Sequence, residues 1–238
     1  MTVAKLCSLI GFFLLCCDGF VFTLAFLALL SNDMVQTFLY RLLFFVVLMK
    51  EEVRILGVDD APFSFEDESV MVVGVVMRAG SYVEGVLRSN VSVDGSDASE
   101  KLVEMICSSR FLSQLHAVLV DGACFAGFNV IDFQHVFEKT QIPIISVTRD
   151  EPDFEKIKTA LKNRFKDWES RWEVLNKGSI WVMKTKYNPL YVRCVGVSES
   201  EAKEIIKLAT IRGVLPEPVR MAHIIASGVV RGESYGKA

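Results

Sequence analysis

The sequence predicts an α/β fold: a mixed sheet in which a three-strand meander is followed by parallel βα units, with helices on both faces. Three observations carry this. Apolar runs between residues 54 and 92 are joined by short Gly- and Ser-containing links with no helical pattern between them. From residue 96 onward the period switches, and apolar strands alternate with amphipathic helices. The strands of this second half are apolar almost throughout, as strands covered on both faces must be.

The first strand is "VRILGVD", the second "SVMVVGVVMRAG", and the third "SYVEGVLRSNVSVDG", whose alternation predicts one exposed face. "SDASEKLVEMICSSRF" follows as a helix, with Ser96 or Asp97 as N-cap, Glu100 in capping-box range, and Leu102, Met105 and Ile106 at helical spacing. "LHAVLVDG" is a buried fourth strand, "VIDFQHVFEKT" a helix and "IPIISVTRD" a fifth strand. "PDFEKIKTALKNRFKDW" then reads as one helix with Pro152 in its first turn. A strand pair, "GSIWVMKTK" and "LYVRCVGV", precedes two closing helices, "SESEAKEIIKLATI" and "PEPVRMAHIIASGVV". This order is that of the ribonuclease H-like fold; a Rossmann-type variant shares only its second half.

Residues 1–48 are a different kind of polypeptide, near-continuous Leu, Phe, Val and Cys with Lys5, Asp18, Asp33 and Arg41 as the charged side chains. Such a leader reads as an over-extended gene start or, if it is translated, as a membrane anchor. The first is preferred, because Met49 is followed at once by "KEEVRILGVDD", a charged opening and then a strand. Residues 49–238 form a single domain on this reading, cytoplasmic unless the leader anchors it. The net charge of −3 is not that of a protein coating DNA, so any nucleic-acid contact comes from a local patch. Cys107, Cys124 and Cys194 form no C-x-x-C pair, which argues against a zinc site and for a reducing compartment.

In a ribonuclease H-like sheet the first and fourth strands are parallel neighbours, and their carboxyl ends open into one crevice. Asp59 and Asp60 end the first strand, Asp94 the third and Asp121 the fourth, so four carboxylates are expected on one sheet edge. Their repulsion calls for cations between them, and hard oxygen ligands suit magnesium or manganese. Asp94-Gly95 and Asp121-Gly122 are also ordinary turn dipeptides, Asp97 an ordinary helix cap, and Asp60 points away from Asp59 on a regular strand. Whether the third carboxylate is Asp94 or Asp97 stays open.

"VRILGVDDAPF", "VLVDGACFAGFNVID", "IPIISVTRDEPDFEKIKTAL" and "LPEPVRMAHIIASGVVRGESYGKA" resemble the archaeal endonuclease dU family, which is related to endonuclease V. The resemblance spans nearly all of residues 50–238 and stops where the leader begins. It implies a magnesium-dependent endonuclease on DNA containing a deaminated base, most of all deoxyuridine, working by attack of an activated water on a phosphodiester. It also implies metal-binding roles for Asp59 and Asp121. Asp94 is the positional substitute for the endonuclease V glutamate, and Arg149 for a lysine after the fifth strand, in reach of phosphate.

Weaker candidates for nucleic-acid contact are Phe125 and Phe128 in "GACFAGFN", and Lys156 and Lys162 in a stripe that also holds Lys158, Arg164, Lys166 and Arg171. His116, His135 and His223 are expected to be structural. No organic cofactor is implied. The competing reading is a non-catalytic ribonuclease H-like module that binds nucleic acid or protein, its acidic cluster vestigial.

Overall fold

Ile55 to Val58 is apolar on both sides of the strand, and such a segment needs cover above and below. The computed structural model, which describes residues 53–234, supplies it. In chain order the elements are β1 (Arg54–Asp60), β2 (Ser69–Arg78), β3 (Tyr82–Ser92), α1 (Ala98–Cys107) and β4 (Leu115–Asp121). Then come β5 (Cys124–Phe125), β6 (Asn129–Val130), α2 (Phe133–Thr140), β7 (Ile144–Thr148), α3 (Phe154–Arg164) and α4 (Trp168–Leu175). The last are β8 (Trp181–Met183), β9 (Leu190–Val195), α5 (Glu199–Ala209) and α6 (Glu217–Arg231). The expectations for the leader fall on residues outside those described.

The main sheet runs β3-β2-β1-β4-β7-β9-β8. β1 and β4 are parallel neighbours, as the element order predicted, and β7 continues the parallel set beyond β4. β9 and β8 close the sheet as an antiparallel pair. β3, the outer strand of the meander, is partly exposed along most of its length, whereas β1 and β2 are almost wholly buried.

Side chains alternate along each strand, so the sheet has two chemically distinct faces. Leu56, Val58, Val118, Val120 and Ile144 pack with Leu102 and Ile106 of α1 and Val136 of α2. Ile55, Leu119, Ile145 and Val147 pack on the other face with Ile206 of α5 and Val219 of α6. Asp59 continues the parity of Ile55 and Gly57 and points to the α6 face; Asp60 continues that of Leu56 and Val58.

Three local expectations are corrected. Asp97 stands at the N-cap of α1 but makes no cap bond; its carboxylate accepts from the Ser92 N–H and hydroxyl and from Asn129 Nδ2. The cap comes from a distant side chain, Asn129, whose Oδ1 accepts from Ala98 N at 2.9 Å while Nδ2 donates to Ser92 O at 2.9 Å. Pro152 lies before the N-cap of α3, which is Asp153. The single helix expected after it is two, because Phe165 turns extended and its ring meets Phe128 edge-on at 5.8 Å and Arg171 at 4.3 Å.

Asn129 is fully buried and ties α1, β3 and the β5–β6 hairpin together. Asn129→Leu leaves the Ala98 N–H and the Asp97 carboxylate without that partner, at an expected cost of about 2–4 kcal/mol in a urea unfolding curve.

Candidate active site

Asp59 and Asp121 come together through strand register. Gly57 pairs with Leu119 and Val58 with Val120, so one step further along Asp59 lies beside Asp121, on the same face. Adjacent strands are about 4.8 Å apart, which puts two carboxylates side by side at the carboxyl end of the sheet. α6 crosses this face directly. A Cβ on Gly57 would lie 2.1 Å from the Pro218 carbonyl carbon, so only glycine lets the helix approach this closely.

That approach delivers His223. Its Nδ1 is 2.8 Å from Asp59 Oδ2, an arrangement in which the ring N–H donates to the carboxylate. Asp59 is only 5% exposed, and its other oxygen accepts from Asp60 N at 2.9 Å. The expectation that His223 is structural did not foresee this contact, which sets the ring on one of the two paired carboxylates. His135 Nε2 lies 2.7 Å from Glu100 Oε1, and His116 Nδ1 accepts from Arg54 N at 3.3 Å.

Asp60 turns to the opposite face, where its Oδ2 accepts from Ala126 N at 2.7 Å in the turn of the β5–β6 hairpin. Asp94 lies on the far side of that turn. Its Oδ1 accepts from Phe128 N at 2.8 Å and its Oδ2 from Arg164 at 2.7 Å, with φ at +51°. The four strand-end aspartates are therefore divided, Asp59 and Asp121 on the α6 face, Asp60 and Asp94 gripping the hairpin. The expected role of Asp94 as a completing ligand meets an obstacle in position, since its carboxylate is turned to the hairpin and Arg164 rather than to Asp59 and Asp121.

Burial raises Asp60 to about 6, and the neighbouring charges of Asp59 and Asp121 add to the rise. Asp121 is raised to about 6 by burial first and then by Asp59, with Arg149 and His223 acting against the rise. Arg149 thus stands within electrostatic reach of Asp121. The stability that these groups contribute belongs to their protonated forms: it is present below their unfolded value near 3.8 and lost as pH rises through about 6. Chelated protein is expected to lose about 2–3 kcal/mol of stability from these two groups between pH 5 and pH 7, read from thermal melts. Asp121→Asn should flatten that slope.

The donor set suits a hard cation. Asp59 and Asp121 offer oxygens, no cysteine stands beside them, and the raised carboxyls mark negative charge that a cation would relieve. Among the described residues no three His, Cys, Asp or Glu side chains enclose a metal by themselves. A cation here would keep several waters, as magnesium does and structural zinc does not.

The expected nucleic-acid contacts divide as well. Phe125 is 1% exposed and is a core residue, so it cannot wedge into a duplex, while Phe128 is half-buried against Phe165. Lys156 and Lys162 stay at the surface, the first paired with Asp153 and the second 4.8 Å over the Trp168 ring. Arg171 leaves the stripe altogether: its Nη1 donates to Gly95 O and Phe128 O, binding α4 to the hairpin.

The endonuclease dU family profile matches residues 51–230. A UPF0215 protein of Methanothermobacter thermautotrophicus is 47% identical over 192 residues, covering 80% of this chain and 94% of its own. A UPF0215 protein of Methanopyrus kandleri is 42% identical, with 80% and 98% covered. Among solved structures, a protein of unknown function from Archaeoglobus fulgidus aligns with a TM-score of 0.67 at 36% identity, covering 74% of this chain and 98% of its own. Endonuclease V of Ciona intestinalis, in complex with DNA containing an inosine, aligns at 0.51 and 16% identity, with 76% and 86% covered, a likeness of fold. Among the described residues no helix is long and apolar enough to cross a membrane.

Proposed function

The chain belongs to the endonuclease dU family, and we propose that it nicks DNA at or near a deaminated base, deoxyuridine first among them, with magnesium or manganese bound at Asp59 and Asp121. One observation carries this reading. Two parallel strands end with their carboxylates side by side on one face, and a histidine from α6 is fixed to one of them. The family's description supports deoxyuridine as the substrate base.

A cation held there would make a water more acidic and offset charge on the phosphate as the bond breaks. The chain's own groups do the rest. Asp59 and His223 form a hydrogen-bonded pair in which the imidazole can take or return a proton at Nε2 while the carboxylate steadies it through Nδ1. Arg149, whose charge acts on Asp121, is placed to hold a phosphate that approaches the same edge. Asp60 and Asp94 would leave the cation to Asp59 and Asp121, their own carboxylates being turned to the hairpin.

The test uses labelled duplexes carrying one uracil, one hypoxanthine or only normal bases, with magnesium, manganese or chelator. Nicking at a deaminated base that needs the cation is the expected result. A folded protein that nicks none of the duplexes with either cation would contradict the reading and leave a binding module.

A further inference from the structure

We propose that Arg193 reads the base: its guanidinium donates to the carbonyl oxygen that deamination leaves, and so rejects the parent base, which carries an amino group there. This rests on the nuclease reading of the neighbouring carboxylates. Arg193 lies on β9 with the parity of Tyr191, on the sheet face opposite Val192. It is 7% exposed, its Nε has no hydrogen-bond partner, and no carboxylate's charge acts on it. A buried guanidinium N–H without an acceptor is costly, and the Nε of Arg193 calls for a ligand that supplies one.

A cavity of about 360 Å³ stands in front of it, lined among others by Gly122, Phe128, Ser146, Phe154 and Tyr191. That size falls in the lower range of small-ligand sites, and aromatic walls suit a flat ring. The cavity begins at Gly122, the residue after Asp121, and a Cβ placed there would meet nothing within 4 Å. Gly122 thus brings the cavity to within one residue of Asp121 along the chain. A strand whose phosphate crosses the sheet edge at Asp59 and Asp121 can turn one base over that edge into the cavity.

Asp150 and Glu151 also line the cavity, Glu151 accepting from the Tyr191 hydroxyl at 3.4 Å, yet neither charge acts on Arg193, so the guanidinium end of the cavity favours an acceptor. Burial pushes the Cys124 thiol up to about 12, so it stays neutral and puts no anion beside Arg193. The Ser146 hydroxyl already donates to Gly122 O at 2.7 Å. Uracil presents O4 and hypoxanthine O6 where cytosine and adenine present amino groups. An amino group facing Arg193 sets donor against donor, and a site that leaves a buried polar group unpaired discriminates strongly.

The experiment measures binding by fluorescence anisotropy, with the full chain and with calcium in place of magnesium, on single strands carrying one uracil, one cytosine or one abasic analogue. Nicking in magnesium is followed in parallel. The wild-type chain should prefer uracil over cytosine by at least about tenfold. Arg193→Met, and Arg193→Gln, which offers a donor and an acceptor, should bring the two within about threefold and leave abasic binding unchanged. A folded variant of either kind that keeps the preference, or a wild-type chain without one, overturns the role of Arg193 even if nicking occurs. A preference lost in both variants, from a chain that nicks nothing, would uphold Arg193 and sink the nuclease reading instead.

Discussion

Asp121→Asn should lower the nicking rate by at least about 10³-fold while the chelated protein becomes more stable at pH 7. The two effects have one cause. Asp121 is raised to about 6 by burial and by Asp59, so at neutral pH its ionised form costs the fold free energy that a cation would offset. An amide of the same shape removes that cost, about 1–3 kcal/mol, and would remove the proposed metal ligand with it. Thermal melts should therefore show the variant above wild type in chelator and below or level with it in millimolar magnesium. Asp59→Asn should be equally inactive but gain less, because its carboxylate already has bonds from His223 and from Asp60 N.

Gly57→Ala should cost at least about 3 kcal/mol and most of the activity, a large effect for one methyl group. The added Cβ would meet Pro218 C at 2.1 Å, Pro218 O at 2.3 Å and Val219 N at 2.4 Å, all backbone atoms that no rotamer change can move aside. α6 must then lift from β1, and His223 leaves Asp59. Gly228, in the same helix, provides the contrast, since a Cβ there meets nothing within 4 Å. Gly228→Ala should raise stability by about 0.5–1 kcal/mol and leave nicking unchanged, as urea unfolding and the duplex assay would show.

The pairing of Asp59 with Asp121 was legible because it depends on strand period and strand order, both of which short apolar runs encode locally. The separation of Asp60 from Asp59 follows from the same period. His223 was not legible in this way: it lies 164 residues from Asp59 in the chain, and nothing near it says which strand α6 crosses. The glycine that admits the helix, Gly57, reads in sequence as an interruption of a buried strand and nothing more. Charge runs were the least informative. Arg164 and Arg171 look like members of a solvated stripe with Lys156 and Lys162, yet one neutralises Asp94 and the other ties the Gly95 loop to the hairpin through the Gly95 and Phe128 carbonyls. Which of four similar cations faces inward is decided by the break at Phe165, a tertiary event that helix propensity does not carry.

The division of the aspartates also gives the hairpin a purpose. Ala126 donates to Asp60 while its carbonyl accepts from Asp94 N, so the turn is held from two strands at once. Through Phe128 this turn borders the cavity that Arg193 lines. Cation and base would then be handled on the two faces of one sheet edge, which is how a single nucleotide can be held at both ends.

Whether Asp59 and Asp121 together hold a divalent cation is tested by anomalous diffraction from crystals grown with manganese. A manganese peak is expected between the two carboxylates, with His223 still on Asp59, and no such peak in Asp121→Asn crystals. A manganese-saturated crystal with no peak there, or with its peak at Asp94 instead, would contradict the proposal.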